Sequence, residues 1–440
     1  MQPKIKVGFY LQNQGYPNAD LRSPEQGNPG IGGTQFTTLA TAYYLNQFYP
    51  DQVDVLILVN NLALFPESLR VCQAKSLVDA AITSEKQGCN IFVFKSASGD
   101  DKIYNQLRKL KIKAIARSNN TPDRNGLNQI AACPQVKAHV CVGQEQLDLL
   151  RDHQVFTKSI RIFNPFNIQE FVPTKNIHKD GNTVVFLGNI IYSKGFHYLA
   201  RVWKKILKVR PDAKLIVIGS GQLYDRNQIL GKWGVAEETY EAQWIRPFLS
   251  DEKGNLLDSV HFVGLLGEEK IEILQNADVG VVNPSGATET FCTAAVEFQS
   301  CGTPVVSAAK GGLLDTVVHG ETGLLGNNDR DLVRNILYLL NNPSVAQQFG
   351  QNGIKFVQEK FDHRENARQW LALFMDICQN KPPQPQPMKD NYMYNAKVIR
   401  ESMRILKEWM PWLHRVPALI EIKPLLKGYI KQFKSGQKKF

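Results

Sequence analysis

Short apolar runs, each closed by a polar or glycine-rich turn, recur along most of the chain. Residues 7–11, 53–59, 91–94, 113–116 and 136–142 form one series, and 183–187, 213–221, 260–264, 279–282 and 303–309 form a second. Each run is short and largely apolar, as expected of a strand buried on both faces. Between the runs, apolar residues fall at helical spacing: Phe36, Leu39, Ala40, Tyr43, Tyr44 and Leu45 after the first strand, and Phe291, Ala294, Ala295 and Phe298 between the last two. Strand alternating with helix predicts parallel sheets, with a ligand crevice at the carboxyl ends of the strands. The pattern breaks at the polar, Lys-rich run 173–182, which divides the chain into two α/β units.

The densest region is 277–326. Asn283-Pro284-Ser285-Gly286 closes one strand, Gly302 and Pro304 stop the following helix, and Gly311-Gly312 turns the chain again. Glu289 and Glu297 both lie here. Eight residues along a helix separate two groups by about 80° and about 12 Å, too far to share one proton but suited to opposite ends of an elongated ligand. The plainer alternative is that Glu289 favours a helix start and Glu297 faces water. Against it, Val296 and Phe298 flank Glu297 between buried strands, where a carboxylate needs a partner.

Elsewhere, the long loop 12–33 ends in Gly30-Ile31-Gly32-Gly33, whose glycines let backbone approach an anion or sugar, or simply make a tight turn. Lys194 follows a strand end within Gly188-Asn189-Ile190-Ile191-Tyr192-Ser193-Lys194-Gly195, a natural place for a phosphate ligand or for a solvated lysine. Gly221 closes the 213–221 run as a plausible edge of a nucleotide pocket. Arg117-Ser118-Asn119-Asn120 sits at another strand end, His139 is expected to be structural, and 222–257 is read as a helical insertion at the cleft rim.

The ordered set Asn283-Pro284-Ser285-x3-Glu289-Thr290-Phe291, Glu297, Gly302-Thr303-Pro304-Val305-Val306 and Gly311-Gly312-x2-Asp315-x2-Val318-x-Gly320-x-Thr322-Gly323-Leu324-Leu325 resembles the retaining, nucleotide-sugar-dependent glycosyltransferases of family 4. The resemblance covers most of residues 1–375 and is sharpest from 184 to 326. It implies the α/β GT-B fold, with Rossmann-like parallel-sheet domains at 1–172 and 173–380 facing across a cleft. The implied reaction moves a sugar from a nucleotide-sugar donor to a hydroxyl of a glycan or lipid-linked acceptor, with retention by front-face displacement. No metal and no permanently bound cofactor are implied. By the same resemblance, Lys194 stabilises the donor diphosphate and Glu289 binds sugar hydroxyls, the two residues on which catalysis would rest. Glu297 takes the ribose, Phe291 and Cys292 offer backbone amides to the sugar, and Gly32 and Gly33 face the diphosphate and acceptor. Asn189 occupies the donor-site position where the family has an arginine, five residues before the lysine, and Arg117 or Arg124 are candidates for the missing charge. The family's usual histidine has no counterpart between 100 and 138. These departures keep open a noncatalytic nucleotide-sugar or glycan-binding relative of the same fold.

Composition narrows the class further. A chain of 440 residues with 43% apolar and 21% charged content is too long for one ordinary core, and no run of eighteen apolar residues or signal-peptide pattern is present. Seven scattered cysteines predict reduced thiols in a cytoplasmic protein. The net charge of +11 is concentrated: residues 381–440 hold thirteen Lys/Arg against four Asp/Glu. No recognisable nucleic-acid module accompanies it, and a nucleic-acid partner is not expected. This basic extension opens with the Pro-rich spacer 381–388. Ile399, Met403, Leu406 and Met410 then mark one amphipathic helix, and a second is expected from Pro424, with Lys423, Lys427, Lys431 and Lys434 beside Leu425, Leu426, Tyr429 and Phe433. Three placements stay open for this tail. Residues 395–440 could dock on the anionic inner face of the plasma membrane with Trp409 and Trp412 at its boundary, the helices could bury their apolar sides on the enzyme body, or they could meet a protein partner.

Overall fold

The computed structural model describes residues 3–422, apart from positions 17, 30, 63, 97, 98, 100, 173–176, 223–227, 385 and 390. Its strands form two wholly parallel sheets. The first joins β1 (Ile5–Leu11), β2 (Val53–Val59), β3 (Arg70–Gln73), β4 (Ile91–Lys95), β5 (Lys113–Ser118), β6 (Val136–Cys141) and β7 (Ser159–Arg161) in the order β3-β2-β1-β4-β5-β6-β7. The second joins β8 (Thr183–Leu187), β9 (Lys214–Ile218), β10 (Val260–Gly264), β11 (Val279–Val281), β12 (Val305–Ala308) and β13 (Gly323–Gly326) in the order β10-β9-β8-β11-β12-β13. Central strands such as β2 and β8 are apolar at successive positions because helices cover both faces of each sheet. In both sheets the strand order reverses beside the first strand, which opens a crevice at the carboxyl ends of β1 and β8. These two edges face one another across a cleft of about 1720 Å³.

Two chain crossings join the domains side by side. On the outward crossing Phe166 donates its N–H to Phe361 O at 3.2 Å, and on the return His363 donates to Phe166 O at 3.2 Å. The helix His363–Cys378 then lies back on the first sheet, where Trp370 and Phe374 meet the ring of Phe9 edge-on at 6.2 and 6.3 Å between centroids. These rings are buried, so the return crossing is anchored by apolar area as well as by hydrogen bonds.

Beyond it the Pro-rich stretch is strapped to the edge of the first sheet. Gln386 Oε1 accepts from the Arg161 N–H at 2.7 Å, and Gln386 Nε2 donates to Arg161 O at 3.2 Å. The amphipathic helix is Lys397–Trp409, and it docks by its charged side. Lys397 Nζ meets Glu145 and, at 3.2 Å, Asp148. Arg400 meets Asp152 at 2.9 Å, and Lys407 Nζ donates to Asp152 O at 2.8 Å. The picture of a tail packed by its apolar sides with a solvated basic face is therefore corrected for this helix: Lys397, Arg400 and Lys407 are buried, while Val398, Ile399, Ile405 and Leu406 are exposed. The 144–152 segment presents Glu145, Asp148 and Asp152 to these cations, and the pairing leaves the apolar stripe outward. The second helix expected from Pro424 lies outside the described residues. Among the described residues no helix is long and apolar enough to cross a membrane.

Candidate functional site

At the end of β8 the chain turns through Gly188-Asn189 against the end of β9. A Cβ on Gly219, whose φ is +146°, would lie 1.9 Å from Gly188 O, so only glycine lets the two strand ends touch. A short 3-10 turn, Tyr192–Lys194, follows and ends at Gly195 with φ +70°. A Cβ there would stand 2.7 Å from Ser285 N, so this glycine admits the loop that leaves β11. That loop is internally fixed: Ser285 Oγ donates to Asn283 Oδ1 at 2.7 Å and lies 3.2 Å from Ser193 O. The two loops together aim Lys194 at Glu289. Lys194 Nζ is 2.8 Å from Glu289 Oε2, and the same oxygen accepts from Asn283 Nδ2 at 2.8 Å. The Gly311-Gly312 turn supports the Glu289 backbone, since Gly312 donates its N–H to the Glu289 main-chain O at 2.8 Å.

Phe291 and Cys292 lead into the helix Thr293–Ser300, whose N-cap Cys292 makes no side-chain capping bond. Its first amides therefore lack a side-chain cap where the helix start borders the cleft. Burial, reinforced by the Glu289 charge, pushes the Cys292 thiol well above its ordinary range and keeps it neutral. Glu297 has its own cation, Lys270 Nζ at 3.0 Å. Glu289 lies in the loop before the helix and Glu297 within it, so helical spacing does not set their separation; both line the cleft, each held by its own lysine.

Asn189 is 2% exposed, and neither of its side-chain polar atoms finds a hydrogen-bond partner among the described residues. A buried amide so left costs about 1–3 kcal/mol. It borders the cleft together with Gly32, Gly33, Lys194, Glu289, Phe291, Cys292 and Glu297. Gly221 lies outside this lining, and its N–H is committed to Val235 O at 2.9 Å. Asn119 and Asn120 reach the cleft, whereas Arg117 does not. Its guanidinium is bonded to Asn164 at 2.9 Å, and burial lowers its pKa to about 10. Arg124 is paired with Glu421 in the tail at 2.8 Å. Neither arginine supplies the charge missing at Asn189. Lys270, which sequence reasoning passed over, brings a further cation to a cleft wall that Lys194, Arg22 and Lys95 also line. His139 is structural as expected, bonded to Ser118 Oγ at 2.7 Å and Ser159 Oγ at 2.9 Å, with its pKa pushed by burial down to about 3. Among the described residues no group of three His, Cys, Asp or Glu is placed to hold a metal ion.

Comparison with known proteins agrees with this architecture. The family model described as "Glycosyl transferases group 1" matches residues 167–356. An uncharacterized glycosyltransferase of Methanocaldococcus jannaschii is 27% identical over 202 residues, covering 45% of this chain and 46% of the relative. The capsular polysaccharide biosynthesis glycosyltransferase CapM of Staphylococcus aureus is 28% identical over 204 residues, covering 45% of this chain and 48% of the relative. The chain thus spans about half the length of the curated relatives it matches. Among solved structures, sucrose-phosphate synthase from Thermosynechococcus elongatus superposes with a TM-score of 0.65 at 20% identity, covering 86% of this chain and 100% of that one. HepE of Anabaena, solved with UDP and glucose, gives 0.60 at 15% identity, covering 84% and 100%. The fold is GT-B: two Rossmann-like domains facing a cleft, here with a helical carboxyl-terminal extension.

Proposed function

We propose that the protein transfers a glycosyl group from a nucleotide-sugar donor to a hydroxyl of a glycan or lipid-linked acceptor, with retention of anomeric configuration. The observation that carries this reading is the Lys194–Glu289–Asn283 constellation beside the start of the Thr293–Ser300 helix, which has no side-chain cap. Departure of a diphosphate is the hard part of glycosyl transfer, and a lysine with unspent amide dipoles stabilises the charge that develops there. The sugar C1–O bond to the diphosphate breaks, a C1–O bond to the acceptor forms on the same face, and the hydroxyl proton leaves to the departing phosphate. Glu289 would orient sugar hydroxyls, and Glu297 the ribose. The HepE complexes with UDP-glucose and the CapM relative support a uridine-type donor and a glycan acceptor as first substrates to try. A lipid-linked acceptor would place the enzyme in the cytoplasm at the inner face of the plasma membrane.

A noncatalytic sugar-nucleotide binder is the second reading, favoured by Asn189 at a position where the resembling enzymes carry a cation. Incubation with a panel of nucleotide sugars and candidate acceptors separates the two. Transfer is expected, with the anomeric proton of the product reporting retention by nuclear magnetic resonance. Lys194→Ala is expected to lower kcat/KM by about 10²–10³-fold with an unchanged circular dichroism spectrum. Donor captured without transfer or hydrolysis would decide for the binder, and an inverted product would overturn retention.

A further inference from the structure

We propose that the outward apolar face of the Lys397–Trp409 helix, with Trp412 beside it, is a docking surface for an anionic lipid bilayer. The inference stands apart from the donor cleft and does not need the sugar-transfer reading. Val398, Ile399, Ile405, Leu406 and Trp409 span about 120° of the helix circumference. All of them are exposed, Trp409 at 85% and Trp412 at 65%. A helix on a globular protein ordinarily turns such a stripe inward. Here the opposite side is committed to the body. Lys397 is 0% exposed among Glu145 and Asp148, Arg400 pairs with Asp152, and Arg151 bridges Asp148 at 2.7 Å to Glu401 at 3.1 Å. Rolling the helix to bury its apolar stripe would strand several buried charges, so the stripe stays outward and available to a cover from outside.

Charge decides between the candidate covers. The chain continues from Ile422 through eighteen residues that contain six lysines and no Asp or Glu. A second copy would carry the same excess of positive charge and be repelled, whereas an anionic headgroup layer attracts a lysine-rich extension. Exposed tryptophan beside aliphatic residues suits the boundary between headgroups and acyl chains. The helix is also joined to the donor cleft. Tyr394, three residues before it, accepts the Gly311 N–H at 2.8 Å, in the turn that backs Glu289. A docked tail would therefore hold the cleft at a fixed height from the bilayer.

The test sediments full-length protein with phosphatidylcholine vesicles, with and without added phosphatidylglycerol. Partition into the anionic vesicles is expected to exceed partition into neutral ones by about tenfold or more and to fall with salt. The double variant Trp409→Ser, Trp412→Ser is expected to lose about tenfold of that partition, because both side chains are solvent-exposed and their removal spares the fold. A chain ending at Ile422 is expected to lose most of the salt dependence. Absent vesicle binding, or equal binding by the tryptophan variant, would overturn the proposal. So would a lipid-free dimer dissolved by that variant, which would assign the face to a second copy. Calorimetry with the same panel of nucleotide sugars on these preparations keeps the two readings distinct: vesicle docking with no binding of any of them would sink sugar transfer and leave the docking surface standing.

Discussion

Asn189 pays for its place in the cleft. Its amide is buried with no partner among the described residues, and such a group lowers the stability of the ligand-free protein while offering a donor and an acceptor to whatever fills the cleft. Asn189→Leu, which keeps the branched skeleton and can extend its larger methyls toward the cleft, is expected to raise stability of the ligand-free protein by about 1–2 kcal/mol. The same change is expected to weaken binding of the nucleotide sugar, so thermal melts and calorimetry should move in opposite directions. A variant that loses both would mean that the amide has a structural partner instead. The two lysine-paired carboxylates make a complementary case. Glu297 is held by Lys270 and Glu289 by Lys194, two separate pairs on the cleft wall, so Glu297→Gln is expected to weaken the nucleoside diphosphate itself. Glu289→Gln is expected to spare the diphosphate and penalise the intact donor. Equal losses in both titrations would remove that division of labour.

Elements differ in how much their own residues reveal. Runs such as β2 and β8 coincide with the apolar stretches that announce them, because burial on both faces leaves no polar positions to blur the signal. The edge strands β3, β7 and β13 do not stand out, being three or four residues long and partly exposed or closed by glycine. Lys194 and Glu289 are legible as members of two motifs, but Lys270 within Glu268-Glu269-Lys270 looks like an ordinary solvated helix start until the fold brings it to Glu297. The tail helix shows the limit most plainly. Periodicity tells that Lys397–Trp409 has two unlike faces. It cannot tell which face docks, because the acidic groups that choose, Glu145, Asp148 and Asp152, are distant in sequence and themselves look like surface residues. Lys397→Ala tests that choice: it leaves Glu145 and Asp148 buried without this cation, and breaking such a pair costs about 3–5 kcal/mol. Urea titration is expected to show that loss, while Trp409→Ser on the opposite side changes little.

At the scale of the whole molecule, the seam between the domains is tightest where β6 ends. Gly143 has no room for a side chain: a Cβ would lie 2.3 Å from Thr290 O and 2.9 Å from Asp315 Oδ2. Across that seam Thr290 Oγ1 bonds Asn119 O, and Asp315 Oδ2 accepts the Glu145 N–H at 3.0 Å. Asp315 belongs to the second domain and is buried against the first. Burial raises its pKa from 3.8 to about 7, and the neighbouring Glu145 charge adds to the shift. The folded protein therefore keeps a proton on Asp315 that the unfolded chain releases near pH 4. The stabilisation is fully present below that pH, shrinks by about 1.4 kcal/mol per unit as pH rises toward 7, and is lost above it. Asp315→Asn keeps an oxygen for the Glu145 N–H and removes the titration. Urea titrations from pH 4.5 to 8 are expected to give a wild-type curve that descends more steeply than that of the variant up to about pH 7, after which the two run parallel. Parallel curves throughout would show that Asp315 is already ionised at the seam, and its carboxylate would then have to be balanced by the cations facing it, Arg161 and Lys389.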